Sequence, residues 1–129
     1  MIRLDNMTVK LQIVLAGNVA TNQLDCAVSF TDHNISNELT RGATKRTNTN
    51  QTTDVDICDA LGSGKNGYVR NIDSISIYNK DTASATVTVK YDDGGTEHII
   101  AKIVLATLEQ AHYEHGYGWK CLTTAGAIK

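Results

Sequence analysis

Among the residues whose type could do chemistry, the run His112-Tyr113-Glu114-His115 stands out, because imidazole is the commonest protein ligand for zinc. On a strand, however, residues three apart face opposite sides, so both rings reach one ion only across a turn or a helix. Surface histidines beside a turn are the simpler reading. Asp54, Asp56 and Asp59 form a second candidate group, and Asp92-Asp93 a third. Calcium takes six to eight oxygens from a looped cage. Two carboxylates on one strand face fall short of that set, and a solvated edge accounts for them. With four histidines in the chain, three of them late, a cupin-like barrel metal site is also poorly supplied. The sequence thus offers no metal or cofactor site.

Gly62-Ser63-Gly64-Lys65 has the composition of a phosphate-binding loop, but the P-loop spacing is missing and no helix follows to supply its amides. It reads as a turn. No Gly-x-Ser-x-Gly nucleophile elbow occurs. Cys26, Cys58 and Cys121 are widely spaced, odd in number and placed in or beside apolar strands, which points to buried free thiols rather than to a disulfide framework. Catalytic residues are therefore not assigned. Asn34-Ile35-Ser36 and Asn50-Gln51-Thr52 fit the glycosylation pattern, which is short enough to arise by chance.

The elements that carry these residues are strands. Val9, Leu11, Ile13 and Leu15 alternate with Lys10, Gln12 and Val14, and Leu24, Cys26, Val28 and Phe30 alternate with Asp25, Ala27 and Ser29. From Asp32 to Gln51 the apolar signal fades, which predicts a long loop. Val55 and Ile57 mark a short strand with an acidic outer face. Ile75 and Ile77 oppose Ser74, Ser76 and Tyr78, and Asn79-Lys80-Asp81 turns the chain into Ala85, Val87, Val89 and Tyr91. Asp92-Asp93-Gly94-Gly95 is a strong hairpin signal, because these residue types tolerate the positive φ of a tight turn. Ile99, Ala101, Ile103 and Leu105 face one way and His98, Ile100, Lys102 and Val104 the other. Apolar residues on both faces predict a central strand, or one face against a partner. Leu108–Tyr113 and Tyr117–Leu122 complete the pattern, with Trp119 and Cys121 inward. About eight antiparallel strands and no convincing helix predict an all-β fold, a single β-sandwich or jelly-roll-like domain over residues 1–129.

Bulk composition agrees with that class. A chain of 129 residues, 41% hydrophobic and 20% charged, is too apolar for disorder and too polar for a membrane protein. Its formal charge of -2 and scattered lysines and arginines exclude a phosphate-tracking stripe, so neither nucleic acid nor membrane is an expected partner. The start Met1-Ile2-Arg3-Leu4-Asp5 lacks a sustained apolar run, so synthesis and folding in a cytoplasm are expected. Proline is absent, which removes one common way of blunting sheet edges and points to edges covered by other subunits.

The run Ile75–Val89, the later Leu105–Tyr113 with Gly118-Trp119, and the opening Leu11–Gly17 with Thr21–Leu24 resemble small virion structural proteins of tailed bacteriophages. The resemblance covers about half of the chain. It lies in strands and turns and carries over no functional residue: Asn79 and Asp81 shape a turn, Val87 and Val89 fill the core, and Trp119 closes one end. It implies a non-enzymatic capsid decoration or cement protein on the head surface, with the major capsid protein as partner and, by analogy, a homotrimer. A tail-fibre, tail or neck component is the alternative within that class. Outside it stands a carbohydrate-binding sandwich using Tyr68, Tyr78, Tyr113 and Tyr117 as platforms, for which an aromatic content of 5% is thin. Residues 1–6 and 123–129 are expected as arms, with Ile2, Arg3 and Leu4 as the partner-binding residues.

Overall fold

Alternating segments become strands because only a pleated chain turns every second side chain inward, and most of the chain is built on that rule. A computed structural model describes residues 1–34, 36 and 40–129. In order, the strands are β1 (Arg3–Leu4), β2 (Val9–Leu15), β3 (Asp25–Asn34), β4 (Thr40–Asn48), β5 (Val55–Cys58), β6 (Tyr68–Tyr78), β7 (Ala85–Asp93), β8 (Thr96–Leu105), β9 (Gln110–Glu114) and β10 (Gly118–Leu122). A short 3-10 turn, Ser63–Lys65, lies between β5 and β6.

Two antiparallel sheets result. A six-stranded sheet runs β10-β9-β6-β3-β4 with β1 added on β6, and a four-stranded sheet runs β5-β2-β7-β8. Their inner faces enclose one core, in which Leu11, Ile13, Val87 and Val89 of one sheet meet Val28, Ile72, Ile75 and Ile77 of the other. The fold is thus the expected all-β sandwich, with ten strands among the described residues where about eight were expected. Gly94 and Gly95, at φ 60° and 99°, form the two-residue hairpin loop between β7 and β8, as the Asp-Gly signal indicates.

The two unforeseen strands have different causes. β4 pairs with β3 from Asp25↔Asn48 to His33↔Thr40, inside the stretch read as a loop. Most of its side chains are exposed, so no apolar alternation marks it. Ile35, Asn37, Glu38 and Leu39, which also belong to that stretch, lie outside the described residues. β1 is short, and it pairs Arg3↔Asn71 and Leu4↔Arg70 on the part of β6 that β9 does not reach. Its burial corrects the expected arm at residues 1–6. Ile2 and Leu4 are buried in the chain's own core, Ile2 donating its N–H to the Tyr113 hydroxyl, and Arg3 alone of the three faces out. The tail also folds back: Thr123 N donates to Ala127 O and Lys129 N to Cys121 O, and Ile128 bridges Leu122.

Leu108 is a further correction, since β9 begins only at Gln110. Leu108 sits in the connection from β8 at φ 64°, where L side chains are uncommon, and it is largely exposed.

Because Leu4 is fully buried between the sheets, Leu4→Ala is expected to cost ~2–5 kcal/mol in urea unfolding, and deletion of residues 1–6 more than that. A truncated chain as stable as the full one would show that β1 adds nothing.

Candidate interaction surface

Charged side chains cover the outer face of the four-stranded sheet and tie its strands together. Lys90 on β7 is buried to 6% exposure and sets its Nζ between Asp54 Oδ1 at 2.9 Å and Glu97 Oε1 at 2.7 Å. Lys10 on β2 lies 3.2 Å from Asp56 and 3.9 Å from Asp92, and Gln12 Nε2 donates to Asp56 at 2.7 Å. Burial works to raise Asp56, but Gln12 and Lys10 outweigh it and hold the carboxyl below its ordinary range. Each link is partly solvated and contributes little alone. Together they fix the side chains of four strands in one arrangement.

β8 is one of the two edges of this sheet, β5 being the other. The β7–β8 ladder runs Val89↔Ala101 and then Lys90↔Ile99, so Ile100 is an extra residue and a bulge. Beyond a bulge the alternation changes face. Ile99 therefore sits opposite Lys90 on the outer face instead of beside Ala101 and Ile103. It is 70% exposed, and Val104 on the same face is 60% exposed. The expectation of a central strand is thus corrected: Ile99 and Val104 point into solvent, while Ile100 packs against the core. Between this edge and β10, the edge of the other sheet, runs a groove of about 500 Å³ lined by Ile103, Val104, Trp119, Cys121 and Ile128, with Lys102, Lys120 and Lys129 around it.

Three acids with lowered pKa are engaged inside the fold. Asp81, 1% exposed, accepts from the backbone N–H of Ala20, Thr21 and Asn22 and from the Thr21 hydroxyl. Burial acts to raise it, and those donors together hold it well below the usual carboxylate range. Asp32 is bound bidentately by Arg70 at 2.6 and 2.9 Å, with Lys65 at 3.6 Å. Here too burial opposes the effect and the cations prevail, so the carboxyl is lowered. The Ala106 N–H and Lys129 lower Glu109.

The residues singled out from sequence are mostly dispersed. His112 is half-buried on β9 while His115 is exposed in the β9–β10 turn, and no group of three His, Cys, Asp or Glu among the described residues is placed to hold a metal. Asp54 and Asp56 serve Lys90 and Lys10, Asp59 meets Lys45 at 2.8 Å, and Asp93 accepts from Thr8. Lys65 of the glycine-rich turn lies over the Tyr68 ring. Of the four tyrosines named as platforms, Tyr113 is in the core against Trp119, which removes it from any exposed platform. Cys26 and Cys58 are buried, and burial pushes their thiols up to about 12 and about 11. Ile2, Arg3 and Leu4 do not form a surface together. What sequence reading missed is Ile99, and its only signal was the double apolar pattern of β8.

No family model matches the chain, and no curated protein or solved structure matches it.

Two outcomes follow from the titratable groups. Asp81, Asp32 and Asp56 are more acidic folded than unfolded, so the unfolded chain takes up protons first as pH falls. Stability should hold from neutral pH to about pH 5 and then drop through the carboxylate range, with Asp81→Asn less stable at pH 7 and less acid-sensitive below it. Urea midpoints across pH measure this, and a midpoint that rises on acidification would contradict it. A thiol reagent at pH 8 should modify at most Cys121 in the native protein and all three cysteines after unfolding.

Proposed function

We propose that the chain is a non-enzymatic structural component of a tailed-bacteriophage particle, a decoration or cement protein on the outside of the head. The observation that carries this reading is the free β8 edge, where two large apolar side chains stand in solvent beside an apolar groove. Such an edge suits association through backbone hydrogen bonds and apolar contact. Its sheet is held rigid by the ion-pair face, so docking costs little ordering of the protein. The shifted carboxylates support the same view, because each is spent on N–H donors or cations within the fold and none is aimed at a substrate. The strand-and-turn resemblance to small virion proteins supplies the setting.

Mechanically, a shell under internal pressure is stabilised by any clamp that binds the closed lattice better than the opened one. Many copies multiply a modest contact. Purified protein added to heads that lack it should bind at regular surface positions and raise the temperature at which they release DNA. Labelling confined to the tail, or binding without added heat resistance, would reject the decoration role.

A further inference from the structure

We infer that the β8 edge pairs with the β8 edge of a second copy of this chain, antiparallel about a two-fold axis near Ile100 and Ala101, joining two four-stranded sheets into one of eight strands. This inference concerns the isolated protein and uses the same edge that carries the proposed function, so an edge paired with a second copy is not free to meet the coat. It is an alternative to the homotrimer that the resemblance implies by analogy.

Charge chooses the partner and the direction. The start of β8 is acidic, with Glu97 on the strand and Asp92 and Asp93 on the adjoining end of β7. The other end is basic: Lys102 is on the strand and Lys120 edges the groove beside Val104, with Lys129 tied to Glu109. Lys102 and Lys120 have no ion-pair partner among the described residues, whereas Glu97 and Asp92 are only partly neutralised by Lys90 and Lys10. Antiparallel pairing of two identical edges sets each acidic end against the other copy's basic end. Parallel pairing would set like against like, which is unfavourable. An isologous two-fold contact needs this kind of self-complementary patch.

Apolar contact points to the same place. Ile99 and Val104 flank the middle of β8 on the outer face, so the axis gathers four exposed apolar side chains, two from each copy. The edge spans ten residues and contains no proline, and its one irregularity is the bulge at Ile100, which lies at the axis, so the pairing runs through the regular segments on either side of it. One chain alone leaves its outward backbone groups to water.

Light scattering and sedimentation of the purified protein at micromolar concentration test the pairing. The expected mass is twice the 14.0 kDa of one chain. Ile99→Lys with Val104→Lys should give the single-chain mass with an unchanged circular dichroism spectrum, since both positions are exposed. Lys102→Glu turns two attractions per dimer into repulsions and should raise the dimer dissociation constant roughly tenfold or more at low salt, with a smaller effect at high salt. A wild-type monomer, a trimer, or a dimer indifferent to both variants would overturn the inference.

Discussion

Everything in this sandwich hangs on the turn at Asn79 and Asp81, because that is where the chain repeatedly changes sheets. Asn79 is fully buried, and its amide donates to the carbonyls of Ala83, Leu105 and Ala106 while its Oδ1 accepts from Asp81 N–H. Its backbone adds bonds from Asn79 N to Glu109 O and from Leu108 N to Asn79 O. The β6–β7 and β8–β9 crossovers are thereby one hydrogen-bonded unit. Asp81 then draws in the β2–β3 crossover through the N–H groups of Ala20, Thr21 and Asn22. The β4–β5 crossover joins through Gln51, whose side chain accepts from Val19 N and whose backbone N–H donates to Gln23 Oε1. Four loops that would otherwise carry unpaired backbone groups satisfy one another. A buried polar network of this kind fixes a unique arrangement because a partial version leaves costly orphans.

The opposite end has a smaller clasp made by charge. Arg70 on β6 grips Asp32 on β3 within one sheet and donates to Asp59 O at 2.7 Å, where the chain leaves β5 of the other. Its guanidinium also lies over the Phe30 ring at 4.2 Å. With both ends fixed, the two sheets are set at a spacing that the core residues fill, and hydrophobic burial supplies the drive while the clasps supply the register. Rigid flanks follow from this.

The sequence made the core legible wherever one strand face meets the interior. Ile75, Ile77, Val87 and Val89 alternate visibly and are buried, and the Gly94-Gly95 turn is written in residue type. Asn79 and Asp81 were readable as a turn, but their reach to Ala20 and Leu105 was not, since it spans 59 residues or more in one direction and 26 in the other. β4 was illegible because a strand with two wet faces has no period to detect. Residues 1–6 misled for the opposite reason: two apolar side chains in a terminal segment look the same whether they await a partner or complete their own core.

The bulge at Ile100 shows why the candidate surface escaped sequence reading while its ingredients did not. Period-two counting puts Ile99 with Ile103, and one inserted residue sends it to the other face. Had β8 been regular, Ile99 would have joined the core side and Ile100 would have stood on the outer face with Val104; the bulge exchanges the two. The two flanks of the sandwich then differ in kind. On the β4–β5 side Lys45 reaches across to Asp59 and bridges the sheets. On the β8–β10 side Lys129 turns back to Glu109 instead, leaving Lys102 and Lys120 beside an open groove. A sandwich bridged on one flank and open on the other has a single direction in which its four-stranded sheet is poised to grow.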